Sequence, residues 1–402
     1  MKSPSAAERL ERLLSESLSA AQARESQAFD LAAAPFRQRV VIYGAGNLGR
    51  RILRALRANG ADALAFADRN PASWSRTIDG LSVLSPEDAA RRYGADALFL
   101  IGIWNSTVAG GLHGIAQDLT AMGCRGVAPF TYLSWKYPTE LLPNYLWDLP
   151  SRLIDAAAGV QSAFDLLQGA RSRAEFVRQV EFRLTSNFGC LLPPDSDPQY
   201  FPNRRFRPQP DEFLVDCGAY NGDTLLDFAR WTGGAFQGAL AFEADPQNFA
   251  DLQRTIAGHE QLAGRVRALP QAVSAERCTV HFEASGLTSA AISDTGGIEV
   301  QCVPIDEVID GDRPTYIKMD IEGAEPDALR GAAGVLRTHR PALAICAYHL
   351  QEHLWQIPLL IDELMPGSRL LLGAHCPDGF ELVYYAIPPG REVDLALEDE
   401  DG

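Results

Sequence analysis

Short apolar runs alternate with amphipathic segments in the first third of the chain. Residues 40–43, 63–67 and 97–103 are apolar runs bounded by glycine or polar residues, which predicts buried strands. Residues 50–59 and 86–93 repeat their apolar positions with a helical period. Strands that alternate with helices of these lengths predict a parallel, doubly wound sheet.

The same alternation returns in the second half of the chain. The last two apolar runs are joined by a short connector, which predicts that the final strand is antiparallel to an otherwise parallel sheet. The seven predicted strands are residues 213–217, 239–243, 268–273, 315–320, 342–348, 369–374 and 381–387.

These patterns predict an α/β protein with two doubly wound, Rossmann-like domains that are joined by a helical connector. A charged, leucine-containing amphipathic helix precedes the first domain, and an acidic tail follows the second. The predicted segments are the N-terminal helix 1–36, the first domain 37–137, a helical connector with a proline-rich loop 138–210, the second domain 211–390 and the tail 391–402.

The composition of the chain limits the classes of molecule that it is expected to bind. The formal net charge of -16 argues against nucleic acid and against an anionic membrane surface, because both attract basic proteins. The seven cysteines contain no Cys-x-x-Cys pair, which is typical of reduced thiols, and no apolar run reaches the length of a membrane span. We therefore expect a cytoplasmic protein whose N-terminal helix packs on the next domain or on a second copy of the chain.

A glycine-rich turn follows the first predicted strand. It has the Gly-x-Gly-x-x-Gly spacing, it opens a helix, and an acid ends the next strand, twenty-two residues after Gly46. This context predicts a nucleotide site, with a phosphate at the helix N-terminus and the acid on a ribose. The stretch also resembles the small Rossmann-type domain found before sugar acetyltransferase modules, which implies a nucleotide-sugar ligand, and NAD is the alternative. The candidate residues are Gly44, Gly46, Asn47, Leu48, Gly49 and Asp68.

A second glycine turn follows the strand at 213–217, with a different spacing. Carboxylates flank this turn, and they suit a cationic ligand better than a pyrophosphate. An acid that can bind both hydroxyls of a ribose ends the next strand, twenty-five residues after Gly218. The turn and the acid together predict a nucleoside site formed by Asp216, Gly218, Ala219, Tyr220, Gly222, Asp223, Thr224, Glu243 and Ala244.

The second domain resembles the FkbM family of S-adenosylmethionine-dependent O-methyltransferases. The resemblance rests on residues 215–224, on 242–246 and above all on the Ile-Lys-Met-Asp-Ile-Glu-Gly-Ala-Glu segment at 317–325, and it continues through 347–349. It implies a class I methyltransferase sheet, S-adenosylmethionine as cofactor, and methyl transfer to a hydroxyl of a small molecule or of a sugar or glycan. It also implies that Asp216, Gly218 and Glu243 hold the cofactor.

Methyl transfer to oxygen usually needs a base, and two residues at strand ends are candidates. Asp320 ends the fourth strand of the second domain and His349 ends the fifth. We expect His349 to act as the base and Asp320 to orient it or the acceptor. A metal bound by these two residues and His375 is the less favoured alternative, because the last strand separates the fifth strand from the sixth. Glu322 and Glu325 could equally be helix-capping acids.

Two further functions compete with methyl transfer. The first domain could be an NAD-dependent oxidoreductase, or it could be a nucleotide-sugar sensor or delivery module for the second domain. Tyr132 and Lys136 have the spacing of the catalytic pair of short-chain reductases, but Pro138 and the lack of helical periodicity argue against that helix and favour coincidence. The acceptor pocket is expected from the variable segments 200–207 and 286–297.

Overall fold

The computed structural model describes residues 4–103, 110–282 and 298–391, and these divide into two compact units. The first unit comprises Met1–Ala158, Val177–Pro193 and Cys376–Phe380. The second unit comprises Gly159–Phe176, Pro194–His375 and Glu381–Gly402. The acidic tail and the segment 286–297 lie outside the described residues.

The N-terminal region forms two helices where one was predicted. Helix α1 spans Ala6–Leu14 and helix α2 spans Leu18–Ala33. The break has a local cause, since Ser17 adopts an extended conformation and its side chain accepts a hydrogen bond from the backbone N–H of Ala20. Serine at this position satisfies an N–H group that the first turn of a helix leaves without a partner, so it starts a new helix.

The first unit is built on a six-stranded sheet in the order β3-β4-β2-β1-β5-β6. The pairs are parallel except for β3 with β4, in agreement with the predicted doubly wound sheet. The strand order reverses between β1 and β5, which makes the carboxyl ends of these strands a favoured place for a ligand. The strands are β1 Val40–Tyr43, β2 Phe66–Ala67, β3 Thr77–Ile78, β4 Leu81–Leu84, β5 Leu98–Ile101 and β6 Gly126–Pro129.

Helices connect and follow these strands, and one of them corrects a sequence-based expectation. Tyr132 and Lys136 do lie on a helix, which ends at Lys136 before Pro138 opens the next helix. The helices of this part of the chain are α3 Asn47–Ala58, α4 Pro86–Tyr93, α5 Gly111–Ala121, α6 Thr131–Lys136, α7 Pro138–Leu141 and α8 Pro150–Asp155, and they are followed by α9 Ala157–Leu166 and α10 Ala170–Thr185.

The second unit contains the predicted seven-stranded sheet, in the order β15-β16-β14-β13-β7-β8-β9. All of its pairs are parallel except those of the last strand, β16, which is antiparallel to both of its neighbours. The strands of the unit are β7 Phe213–Cys217, β8 Gly238–Phe242, β9 Val266–Leu269, β10 Ala272–Val273, β11 Cys278–Phe282, β12 Ile298–Val303, β13 Tyr316–Met319, β14 Ala342–Cys346, β15 Arg369–Ala374 and β16 Leu382–Ile387.

A small third sheet was missed by the sequence pattern. The run at 268–273 was predicted as one strand, but it is divided by Pro270 into β9 and β10. Proline cannot donate a ladder hydrogen bond, so it ends β9 at this point. Strand β10 instead pairs with β12 in a three-stranded sheet of order β10-β12-β11.

The central strands of the second unit are buried on both faces, as expected for a parallel sheet covered by helices. The helices of the unit are α11 Asp223–Trp231, α12 Pro246–Gly258, α13 Ile305–Val308, α14 Glu325–Gly331, α15 Ala333–His339 and α16 His353–Leu364. Among the described residues, no helix combines the length and the apolar character needed to cross a bilayer.

Candidate functional site

The glycine turn after β7 packs tightly against the end of the adjacent strand. The backbone N–H groups of Gly218 and Ala219 both donate to the carbonyl of Phe242 at the end of β8, at 3.0 and 2.9 Å. Gly218 has a φ of +79°, and a Cβ atom there would lie 2.0 Å from the carbonyl oxygen of Asp320. Only glycine meets both conditions, so the turn brings its backbone directly beside the end of β13.

Glu243 lies against this turn. One carboxylate oxygen accepts the backbone N–H of Tyr220 at 2.8 Å, and the other accepts the backbone N–H of Asp245 at 2.8 Å. Burial raises the pKa of Glu243, and the two N–H groups oppose that rise. Each carboxylate oxygen has a further lone pair, so the group retains the capacity to accept hydroxyl donors.

The remaining residues predicted from this motif shape the turn or follow it. Tyr220 has a φ of +47° and is half-buried, and Ala244 is half-buried after β8. Gly222, rather than Asp223 or Thr224, is the N-cap of α11, with a φ of +89°. Asp223 is the first helical residue, and its carboxylate accepts the backbone N–H of Thr224 at 2.7 Å.

Asp216 was expected to face the cofactor, and the structure places it inside the sheet. Its carboxylate is fully buried and lies 3.2 Å from the ammonium of Lys318 on β13. Burial raises the pKa of Asp216 to about 6 despite this attraction. Burial alone would lower the pKa of Lys318, but Asp216 and Asp320 raise it above its ordinary value. The lysine also donates to the carbonyl of Gly218 at 2.6 Å, so the ion pair supports the turn.

Removing the lysine of this pair should destabilise the protein strongly. In Lys318→Met, the buried carboxylate of Asp216 loses its counter-ion, and we expect the free energy of unfolding to fall by about 3–5 kcal/mol. The double variant Asp216→Asn with Lys318→Met should recover part of this loss, because no buried charge remains unpaired. Urea unfolding of the three proteins measures both effects. A change below about 1 kcal/mol in Lys318→Met would show that the pair does not hold the turn.

Asp320 is the centre of a polar cluster at the end of β13. One oxygen accepts the hydroxyl of Tyr200 at 2.7 Å, and the other accepts the hydroxyl of Tyr348 at 3.1 Å. The same second oxygen lies 3.3 Å from Nε2 of His349. Burial would raise the pKa of Asp320, but His349 and Lys318 outweigh it and hold that pKa below its ordinary value. Asp320 is therefore an ionised acceptor at neutral pH.

His349 lies between two carboxylates. Its Nε2 faces Asp320, and its Nδ1 lies 2.8 Å from Glu325. Burial would lower the pKa of His349, but Glu325 and Asp320 together raise it well above its ordinary value. The structure places His349 beside Asp320, as their strand-end positions predicted. The second carboxylate, Glu325, further favours the imidazolium form of His349, in which both nitrogens are protonated.

Glu325 holds a second imidazole. Its other oxygen lies 3.4 Å from Nδ1 of His353, and one ligand atom from each of Glu325, His349 and His353 lies within 4.8 Å of the others. The separation of 2.8 Å between Glu325 and His349 suits a direct, charge-assisted hydrogen bond, whereas His353 lies farther from the carboxylate.

His375 belongs to a different environment from the other two histidines. Its Nε2 lies 2.6 Å from the hydroxyl of Tyr385, and burial lowers its pKa to about 4. The charged groups that act on it are Asp195, Arg205 and Arg171. Strand β16 separates β14 from β15, which is the arrangement that disfavoured a metal bound by Asp320, His349 and His375, and the structure does not group His375 with Asp320.

The glycine turn of the first unit repeats the arrangement seen at Glu243. One oxygen of Asp68 accepts the backbone N–H of Ala45 at 2.7 Å, and the other accepts the backbone N–H of Asn70 at 2.7 Å. A Cβ atom at Gly49 would lie 1.9 Å from the carbonyl oxygen of Gly44, whereas one at Gly46 would meet open space. The turn is therefore closed on its protein side and open at Gly46. Asn47 and Leu48 begin α3 and are exposed and half-buried, respectively.

Comparison with known families gives a match over the part of the chain that contains the second glycine turn. Residues 216–369 match the family described as the methyltransferase FkbM domain. The matched segment begins at Asp216 and includes the glycine turn, Glu243, Asp320 and His349. The protein is therefore a methyltransferase, and the FkbM domain implies the use of S-adenosylmethionine.

A solved FkbM methyltransferase from Methylobacillus flagellatus KT has the same fold. It is 23% identical, the alignment covers 91% of this chain and 93% of that one, and the TM-score is 0.72. A precorrin-6y C5,15-methyltransferase from Geobacter metallireducens GS-15 is 12% identical over 46% of this chain and 83% of its own, with a TM-score of 0.29. A UDP-D-quinovosamine 4-dehydrogenase from Vibrio fischeri is 21% identical over 23% of this chain and 75% of its own, with a TM-score of 0.19. The last two overlaps are too partial to inform fold or function, and no curated protein matches the chain.

Several polar residues around Asp320 were not predicted from the sequence as site residues. Tyr200 comes from the proline-rich loop, and only its place in a segment expected to build the acceptor pocket pointed to it. Glu381 precedes β16 and accepts a hydrogen bond from Gln199. Burial raises the pKa of both Glu322 and Glu381 to about 7. No local motif marks Tyr200 or Glu381, because the sheet brings them to Asp320 from distant parts of the sequence.

Proposed function

We propose that the FkbM domain transfers the methyl group of S-adenosylmethionine to a hydroxyl of a small molecule or of a sugar or glycan. The observation that supports this most directly is the position of Asp320. It follows Met319, which pairs with Cys217 in the sheet, and so it lies beside the glycine turn. A nucleoside held by the turn would thus have an ionised carboxylate and two tyrosine hydroxyls next to it.

In this proposal the turn and Glu243 hold the cofactor. When bound, S-adenosylmethionine supplies an electrophilic methyl group on a positively charged sulfur. Gly218, Ala219, Tyr220 and Gly222 let the backbone approach the nucleoside, and Glu243 accepts the ribose hydroxyls through its remaining lone pairs. Asp216 contributes to cofactor binding indirectly. It pairs with Lys318, and Lys318 in turn supports the turn through the carbonyl of Gly218.

Asp320 and His349 act as a pair on the acceptor. The sequence favoured His349 as the base, but its raised pKa favours the imidazolium, which is protonated on both nitrogens and cannot accept a further proton. We assign the role of base to Asp320, whose ionised carboxylate would accept the proton of the acceptor hydroxyl. We assign to His349 the role of holding that carboxylate in place from one side. Tyr200 and Tyr348 hold it from the other. Glu325 positions His349 through Nδ1.

This chemistry supports a hydroxyl as the methyl acceptor. A hydroxyl loses its proton during transfer and needs an acceptor for it, and Asp320 provides one. Glu322 and Glu381 place two further carboxyl groups near Asp320, and carboxyl groups in either protonation state form hydrogen bonds with the hydroxyls of a polyol.

Labelled methyl transfer tests the proposed function. The purified chain is incubated with methyl-deuterated S-adenosylmethionine and an equimolar set of hexoses, phenols and amines, and the products are located by fragment masses. We expect label on oxygen only. Label on nitrogen, or no release of S-adenosylhomocysteine above that of Asp320→Asn, would contradict the proposal.

A second function is supported by the first unit. We infer that the turn at Gly44, Gly46, Asn47, Leu48 and Gly49, together with Asp68, binds a nucleotide. The supporting observation is the pair of backbone bonds to Asp68, which matches the pair to Glu243. NAD and a nucleotide-sugar are the two candidate ligands.

A further inference from the structure

A cavity of about 410 Å³ lies within the first unit, at the carboxyl ends of β5 and β6. Its floor includes Ile101 and Pro129, and one wall is formed by Leu112 and Ala116 of α5. The segment 185–188 forms another wall. A volume of this size is within the range that small-molecule sites occupy.

The cavity lies beside the turn of the inferred nucleotide site. Tyr43, which precedes that turn, is paired in register with Ile101, and a Cβ at Gly44 would contact Gly102 and Ile103. Neighbouring parallel strands are about 4.8 Å apart, so a ligand held at the turn needs to extend across only one or two strands to reach the cavity. The strand order reverses here, and this is where open α/β sheets bind their ligands.

The lining of the cavity favours an uncharged ligand with apolar faces. Of the twelve described residues that line it, none is Asp, Glu, Lys or Arg, and most are apolar, including Val127 and Phe188. The N-terminus of α5, which could otherwise attract an anion, is occupied by Asp378, whose carboxylate accepts the backbone N–H of Leu112 at 2.8 Å. The described lining therefore offers no lysine or arginine to a phosphate, and its apolar side chains suit a flat ring.

Tyr132 gives the cavity a hydrogen-bonding group, and its surroundings argue against the proton transfer of a Tyr-x-x-x-Lys reductase. It lines the cavity from α6, and burial raises its pKa. In a reductase of the Tyr-x-x-x-Lys type, the lysine would lower the tyrosine pKa, but Lys136 points to Asp30, with its ammonium 2.5 Å from that carboxylate. Tyr132 is thus suited to donate a hydrogen bond to a ligand rather than to exchange a proton with it.

The wall at 185–188 is held by hydrogen bonds within its own part of the chain. Ser186 has a φ of +54° and donates its backbone N–H to Phe182 at 2.7 Å. The side chain of Asn187 accepts the backbone N–H of Gly189 at 3.0 Å. A non-glycine residue in the left-handed region, stabilised by its neighbours, is a feature of preformed binding sites.

We propose that this cavity binds a flat, uncharged ring carried on a nucleotide whose phosphates lie at the turn 44–49. The proposal rests on the nucleotide site inferred for the first unit. Asp68 and the turn hold the nucleotide, the cavity encloses the ring between apolar side chains, and Tyr132 donates to a carbonyl on the ring.

Calorimetry with NADH and ADP-ribose tests the proposal on the full chain, because ADP-ribose has the nucleotide without the nicotinamide ring. We expect NADH to bind at least tenfold more tightly than ADP-ribose. Ala116→Phe should fill the cavity and remove this difference while leaving the Kd for ADP-ribose unchanged. Tyr132→Phe should weaken NADH severalfold.

Matched controls distinguish a failure of the nucleotide site from a failure of the cavity assignment. Ala121→Phe makes the same change on an exposed position of the same helix and should bind NADH as the wild type does. All variants should bind ADP-ribose with the wild-type Kd, which shows that the first unit still folds. Absence of ADP-ribose binding would overturn the nucleotide site itself. Equal affinity for NADH and ADP-ribose would overturn the cavity assignment alone, and so would tighter binding of UDP-glucose that is sensitive to Ala116→Phe.

Discussion

Glu243→Ala should abolish measurable binding of S-adenosylhomocysteine. The carboxylate is expected to accept two ribose hydroxyls, and hydrogen bonds to a charged group contribute about 1.5–3 kcal/mol each. Losing both should raise the Kd by about 100-fold or more. The same carboxylate also holds Tyr220 and Asp245, so its loss loosens the turn as well. Isothermal titration calorimetry with S-adenosylhomocysteine measures the effect.

Two variants control this experiment. Glu243→Gln keeps the size of the side chain and one acceptor oxygen, and it should bind more weakly than the wild type but better than Glu243→Ala. Asp68→Ala removes the residue with the equivalent backbone contacts in the first unit and should leave the Kd for S-adenosylhomocysteine unchanged. If Asp68→Ala weakened this binding as much as Glu243→Ala did, the assignment of the cofactor to the FkbM domain would be wrong.

Asp320→Asn should slow methyl transfer without weakening cofactor binding. The amide has the shape of the carboxylate but not its charge, so it can neither accept the proton nor hold the protonated His349. General-base catalysis contributes about 10²–10⁴-fold, and we expect kcat to fall by about that factor. Release of S-adenosylhomocysteine under saturating acceptor measures kcat, and calorimetry should show a Kd within a few-fold of the wild type.

Asp327→Asn is the matched control for this change. Asp327 is an exposed acid on α14 that pairs with Arg330, and its substitution should leave kcat unchanged. His349→Asn distinguishes the roles within the pair. If His349 were the base, Asp320→Asn would retain much more activity than His349→Asn, which is opposite to the order we expect.

The sequence predicted the architecture well where one local signal decided the outcome. The bounds of β7 and α4 agree with the predicted segments, because a glycine turn closes β7 and the capping residue Ser85 opens α4, and the bounds of β15 also agree. The N-terminal helix was predicted as one because its leucines keep a helical period across Ser15 and Ser17, whereas the capping contact of Ser17 divides it. Strand β10 was merged with β9 because both are apolar and only Pro270 separates them.

The candidate site was less predictable, because its electrostatics depend on partners distant in sequence. The pattern at 215–224 cannot tell whether Asp216 faces a ligand or a buried lysine, since the answer depends on the register of β7 with β13. It also cannot tell whether His349 is neutral, since that depends on Glu325. Strand-end positions brought Asp320 and His349 together correctly, because the carboxyl ends of parallel strands share one edge.

A crystal structure of the chain with S-adenosylhomocysteine tests the central claim most directly. We predict the ribose hydroxyls within hydrogen-bonding distance of Glu243, the nucleoside against the turn at Gly218, and the sulfur directed toward Asp320. A ligand bound away from this turn, with Glu243 still bonded only to Tyr220 and Asp245, would contradict the account.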